Sequence, residues 1–310
     1  MRNAFAKAMT TLAEEYPELV LLSGDIGNRL FDEFKAHHAD RFYNCGVAEA
    51  NMTSVAAGLA MSGLKPVTYT IASFNTLRCL EQIKIDVCYQ KLPVIIVGVG
   101  AGLSYGELGP THHTCEDISL LGSFPNMHVV CPGDAIEARL ALRAAIELGK
   151  PVYLRLGKKN EPLIHEHDPD FEIGKAISIK DGRDICLLST GNVLPVAVEV
   201  IKDLERKGIN AALVSMHTVK PLDHDFLTNA LETYKMISTI EEHSLIGGLG
   251  DAVSRWQYEH SLLKPVELLK FGCPDRFMNM SHTQDDARLL WGITAEQISE
   301  QLFEKWQTQC

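Results

Sequence analysis

The chain has 310 residues, 46% of them hydrophobic, which suits about two domains of ordinary size. A net charge of −11 with a pI near 5.5 argues against a nucleic-acid or anionic-membrane surface. Eight cysteines without CxxC pairs or regular spacing read as reduced thiols of a cytoplasmic protein, not as a disulfide framework or a zinc site.

The N-terminal stretch "MRNAFAKAMTTLAEEYPELV" lacks a signal-peptide core and reads as an amphipathic helix leading into a strand. No apolar run is long enough to span a bilayer. "ELVLLSGD" (18–25) is a buried strand ending in a turn, and "VAEANMTSVAAGLAMSG" (47–63) is a small-residue helix stopped by Gly63. "KPVTYTIASF" (65–74) is a strand, and "LRCLEQIKIDVCYQK" (77–91) a helix with an apolar stripe at three- and four-residue spacing. "LPVIIVGVG" (92–100) and "MHVVCPGD" (127–134) are strands, "AIEARLALRAAIELG" (135–149) a helix, and "PVYLRLG" (151–157) a further strand. Such alternation predicts a parallel sheet with helices on both faces. The polar, Pro-containing stretch 158–175 breaks the rhythm as a crossover does. A second α/β unit follows: strand 183–192, helix 193–208, the segments 209–223 and 235–253, strand 264–275, and a terminal helix over 292–307 capped by Thr294. The expected division is a first domain over 1–165, a linker over 166–182 and a second domain over 183–310.

Within the small-residue helix one acid, Glu49, heads a run of Gly, Ala, Val, Met and Leu. A carboxylate there loses hydration, so it is paired, protonated or mobile. It is either a helix N-terminal acid favoured by the dipole or a buried acid with a chemical task. The loop "GVGAGLSYGELGPTHHTCED" (98–117) follows a strand, is dense in glycine and carries His112 and His113, imidazoles suited to proton transfer. Adjacent histidines do not easily face one ion, which disfavours a metal pair. "SLIGGLGDAV" (244–253) has no Walker lysine and departs from dinucleotide spacing, so it reads as the start of a helix. Arg155 ends a strand; it is either a surface ion-pair residue or a bidentate holder of phosphate or carboxylate.

The segments "GVAEANM", "TYTIASFNTLRCLEQIKIDVCYQKLPVIIVG", "GLSYGELGPTHHTCEDISLLGSFPNMHVVCPGD" and "TVKPLDHDFL…TIEEHSLIGGLGD" occur in order. Over nearly its whole length the chain resembles the C-terminal half of transketolases and of deoxyxylulose-phosphate synthases, and most of all the second subunit of split transketolases. The resemblance implies two open, mostly parallel α/β domains: a pyrimidine-binding domain of thiamine-diphosphate enzymes, then a transketolase C-terminal domain. It implies that Glu49 bonds N1′ of the cofactor's aminopyrimidine, with a raised pKa that keeps a proton available. Phe74 matches an aromatic that stacks on the pyrimidine. Leu77 and Leu80 fall where some relatives carry further aromatics. His112 matches a histidine that contacts donor oxygens and assists proton transfers. Arg155 and Arg78 match positions linked to substrate phosphate or anion binding, and Asp25 an acid at the cofactor and subunit interface.

Two departures bear on specificity. Gly100 stands where many transketolases carry a histidine, and Leu108 where they carry an aspartate, both of which help hold donor hydroxyls. Replacing an acid by Leu removes an acceptor and leaves apolar surface, so a deoxygenated ketose or a 2-oxo acid becomes a candidate donor. The sequence also lacks the GDG motif of the family's diphosphate and metal site. Magnesium with its diphosphate needs such oxygen ligands. The chain is therefore expected to pair with a diphosphate-binding subunit that holds most of the Mg2+ contacts, and with itself through the pyrimidine domain, and to act on a sugar or sugar phosphate. The competing readings are a β-subunit of a 2-oxo acid dehydrogenase and a catalytically silent regulatory subunit.

Overall fold

The computed structural model describes residues 1–27, 29–158, 161–260, 266–278 and 282–309. Two sheets carry the fold. The first contains β1 (Leu19–Ser23), β2 (Phe42–Asn44), β3 (Lys65–Ile71), β4 (Ile95–Val99), β5 (His128–Val130) and β6 (Val152–Leu156). The second contains β7 (Ile177–Lys180), β8 (Ile185–Thr190), β9 (Ala211–Ser215), β11 (Met236–Ser244) and β12 (Glu267–Cys273); β10 (Thr218–Lys220) leaves it to join the first. The strand orders are β10-β5-β6-β4-β3-β1-β2 and β12-β11-β8-β9-β7. All pairs are parallel except the edge strands β10 on β5 and β7 on β9. Every residue of β1, β4, β6, β8 and β9 is buried, as continuous apolar runs covered on both faces require.

Helix ends follow their local chemistry. Asp134 caps helix Ala135–Leu148 by accepting from the amides of Ile136 and Glu137, while Glu137 reaches back one residue further to accept from the Gly133 amide. Gly149 ends that helix in the left-handed region. Thr294 accepts from the Gln297 amide at 3.4 Å at the start of helix Ala295–Gln309.

Three expectations are corrected. Strand 65–74 stops at Ile71, and residues Ala72–Leu77 turn into a helix that places the buried Asn75 amide on the Val97 carbonyl at 2.9 Å. The single helix over 77–91 is instead a break at Arg78–Cys79, a turn at Leu80–Gln82 and a π-helical stretch over Ile83–Tyr89. The expected linker 166–182 contains β7, and β10 crosses back to the first sheet, so the two units share one continuous core in which Leu121, Met127 and Val129 cluster with Val219, Leu227 and Trp256. Lys159, Asn160, Lys264 and Pro265, which belong to segments read above, lie outside the described residues.

Two histidines sealed at this junction give the fold a pH dependence. His217 stacks on Phe171 with ring centroids 4.0 Å apart, and burial pushes it down to about 4. His243, buried beside Asp117, Glu241 and Arg155, is also held at about 4 by burial. In both, the unfolded chain binds the proton first, so stability is lost as pH falls from about 6.5 toward 4. Glu241, pushed up to about 7 by burial, acts in the opposite sense between about 4.5 and 7. With two groups against one, the melting midpoint should drop between pH 7 and pH 5, and His217→Phe should reduce the drop. A midpoint that rises on acidification contradicts this.

Candidate active site

In open parallel sheets the carboxyl edge near the point where strand order reverses is where ligands bind. Here the chain reverses between β1 and β3; the loops after β1, β4 and β6 carry Asp25, Gly100 and Lys158, and the helix after β3 carries Phe74. Glu49 begins helix Glu49–Met61 and is 4% exposed. It heads a helix, as the first sequence reading has it, and it is buried, as the second requires. Its charge is paired. Arg78 Nη1 donates to both carboxylate oxygens at 3.2 Å. The helix break at Arg78–Cys79 aims the guanidinium there, and its carbon lies 4.1 Å from the Phe74 ring centroid. Arg78 is half exposed, so it covers Glu49 and Phe74 without being locked.

The Phe74 ring lies edge-to-face with His112 at 5.1 Å, and His112 with Tyr105 at 6.1 Å. His112 Nδ1 is 2.9 Å from the Thr111 hydroxyl. Partial burial, then the nearby Arg78 charge, lower its pKa, so it is neutral near pH 7 and able to accept a proton. Lys158 Nζ sits 4.7 Å from the Tyr105 ring centroid. Burial raises the Tyr105 phenol, with the Arg2 charge opposing. Glu49, Arg78, Phe74, His112, Tyr105 and Lys158 thus form one continuous line of contacts.

The remaining expected site residues are placed as follows. Leu77, at the end of its helix, and Leu108, in a 3-10 turn, are exposed, and Leu80 is partly buried. Asp25 is exposed and accepts from Asn44 Nδ2 at 2.9 Å; no contact joins it to Glu49 among the described residues. Gly100 has a φ of +73°. His113 is buried against the Gly106 carbonyl at 3.3 Å.

Arg155 is a correction. It is 2% exposed and faces the junction of the two units instead of the cleft. Its Nε donates to Asp117 at 2.8 Å, and its Nη2 to the carbonyls of Thr114 and Glu242 at 2.9 and 3.0 Å. Tyr153 donates to the same Asp117 oxygen at 2.5 Å. Arg78 is corrected in part: its guanidinium is engaged with Glu49 rather than open to an anion.

Sequence reasoning missed Glu242. Fully buried at the end of β11, it accepts from the Leu103 amide at 2.6 Å, Gln284 at 2.9 and 3.0 Å, Arg288 at 2.6 Å and Asn192 at 3.2 Å. It ties the Gly-rich loop to the second unit. The signal was present in "IEEH", three polar residues closing an apolar strand. Its neighbour Glu241 accepts from the amides of Leu249 and Gly250 at 2.7 and 2.8 Å, so the Gly-rich helix start at 247–250 is already occupied by a carboxyl, the chain's own. Among the described residues no cluster of three or more His, Cys, Asp or Glu is arranged to hold a metal, and no helix is long and apolar enough to cross a membrane.

Comparisons with known proteins agree with the two-domain fold. Residues 1–162 match the transketolase pyrimidine-binding domain and residues 174–298 the transketolase C-terminal domain. A putative transketolase C-terminal section of Methanocaldococcus jannaschii is 34% identical over 98% of this chain and 96% of its own length. One of the subunits of the apulose-4-phosphate transketolase of Phocaeicola vulgatus is 35% identical over 88% of this chain and 87% of its own. Among solved structures, a split-gene transketolase, an inactive β4 tetramer, superimposes with a TM-score of 0.89 at 34% identity, covering 99% of this chain and 97% of that one. Both sheets, both domain matches and the full-length relatives place the chain in the transketolase family, as a C-terminal section of the split type.

Proposed function

We propose that the chain is the pyrimidine-side subunit of a two-subunit, thiamine-diphosphate-dependent transketolase that moves a two-carbon ketol unit from a ketose to an aldose. The observation that carries this reading is that buried Glu49, the Phe74 ring and His112 adjoin, with Arg78 bridging the first two. The residues fit the cofactor: a buried carboxyl suits a pyrimidine ring nitrogen, an aromatic face suits the ring, and the half-exposed Arg78 is free to swing away from both. When bound, thiamine diphosphate supplies an electron sink for breaking the carbon–carbon bond beside a ketone. Glu49 shares a proton with pyrimidine N1′. Phe74 orients the ring. His112 accepts and returns a proton at the donor oxygens. Lys158, in place of Arg155, is the cation at the cleft's edge for an anionic substrate end.

The diphosphate and Mg2+ fall to a partner subunit with the GDG…N motif. The related split-gene protein, solved as an inactive β4 tetramer, supports both self-association and inactivity without that partner. The face for self-association is the outer side of helix Glu49–Met61, where Asn51, Ser54, Val55 and Gly58 are exposed, with Ile85 and Tyr89 beside it. The reading keeps a pyrimidine-binding unit over 1–165 and a C-terminal unit over 183–310, with β7 assigned to the latter. The seven free cysteines among the described residues suit a reducing cytoplasm. A 2-oxo acid donor is the second reading, favoured by the exposed apolar Leu108 in the donor loop. Reconstitution with the GDG-bearing subunit, followed by assay of ketol transfer from ketose phosphates and of 2-oxo acid decarboxylation, tests both. Transfer from a ketose supports the first, decarboxylation without transfer the second, and neither reaction leaves the silent-subunit reading.

A further inference from the structure

We propose, resting on the reading above, that Tyr105 sets donor specificity by filling the space that a side chain at position 100 would take. A Cβ built on Gly100 would lie 1.9, 2.3 and 2.9 Å from three atoms of the Tyr105 ring. Real carbon contacts do not reach those distances, so any larger residue at 100 and the Tyr105 ring exclude one another. The ring is held in that place from two sides, by His112 at 6.1 Å between centroids and by Lys158 at 4.7 Å. We take the ring, which adjoins His112 in the line of contacts that starts at Glu49, as one wall of the donor site. The chemistry of that wall differs from an imidazole wall. A phenol offers one O–H and a broad apolar face, and Leu108 beyond it is an exposed apolar side chain. By filling that space the ring leaves no room for the longer chain of donors whose carbons past C3 carry hydroxyls, or for the water those hydroxyls need, and a smaller side chain at 105 restores it. It tolerates donors that are short or lack those hydroxyls.

The test uses the reconstituted two-subunit enzyme with fructose 6-phosphate and with 3-hydroxypyruvate, which has no carbon past C3. Tyr105→Val and Tyr105→Leu are compared with the unmutated chain. The ratio of kcat/KM for fructose 6-phosphate over 3-hydroxypyruvate should rise threefold or more in both, chiefly through a lower KM for the longer donor. A ratio that stays within threefold or falls overturns the proposal. So does a folded variant inactive toward both donors, which would make Tyr105 a requirement of the reaction instead of a selector. An unmutated enzyme inactive toward every donor counts against the functional reading itself. The steric pairing is then judged separately by a thermal-stability cycle of Gly100→Ala and Tyr105→Val. The strain of alanine at positive φ is common to both backgrounds and cancels. Alanine should lower the melting midpoint more with Tyr105 present than with Val, and equal losses overturn the pairing.

Discussion

Replacing Glu49 by Gln is expected to lower turnover of the reconstituted enzyme by roughly 10²- to 10⁴-fold, the range of a lost acid–base group. The fold should survive. Gln keeps an oxygen for Arg78 Nη1, and Arg78 is half exposed, so water replaces what the amide does not supply. What the amide lacks is a proton to share with a ring nitrogen. The matching readout is hydrogen–deuterium exchange at C2 of the bound thiazolium, which should slow with turnover. Near-normal exchange in a folded variant would return Glu49 to the role of a helix N-terminal acid.

Arg155→Met is expected to destabilise the chain by about 3–5 kcal/mol, the loss seen when one member of a buried ion pair is removed. Asp117 would keep only the Tyr153 hydroxyl, and its second oxygen already lacks a hydrogen-bond partner among the described residues. The carbonyls of Thr114 and Glu242 would lose their donor as well. These groups come from both units, so the loss should appear as one lowered denaturation midpoint in urea. A phosphate-binding Arg155 would behave in the opposite way: stability intact, KM for an anionic donor raised. That outcome would contradict the buried assignment.

The difference between Arg155 and Glu49 shows where sequence suffices. The burial of Glu49 was legible because an acid heading a run of small apolar residues is carried inside with them. The buried strands were legible because a strand covered on both faces must be apolar throughout. Arg155 closes such a strand and has the sequence look of an exposed cation. Only the fold brings Asp117, 38 residues away, and the Glu242 carbonyl, 87 away, to its guanidinium. Tyr105 was hidden for a similar reason: its conflict with position 100 arises from loop geometry at a positive φ. The short edge strands β7 and β10 gain their hydrogen bonds from distant partners, and neither the linker-like stretch around β7 nor the segment 209–223 around β10 carries a trace of them. The break after Leu77 was masked by an apolar stripe that a regular helix and a π-helical stretch satisfy equally well.

The central claim is that this chain holds the pyrimidine half of a composite cofactor site and lacks the diphosphate half. Isothermal titration with thiamine diphosphate and magnesium, first of the chain alone and then of the chain with a GDG-bearing subunit, tests it most directly. The account predicts weak or undetectable binding by the chain alone and tight binding by the pair, with turnover only in the pair. Tight stoichiometric binding and catalysis by the isolated chain would contradict it.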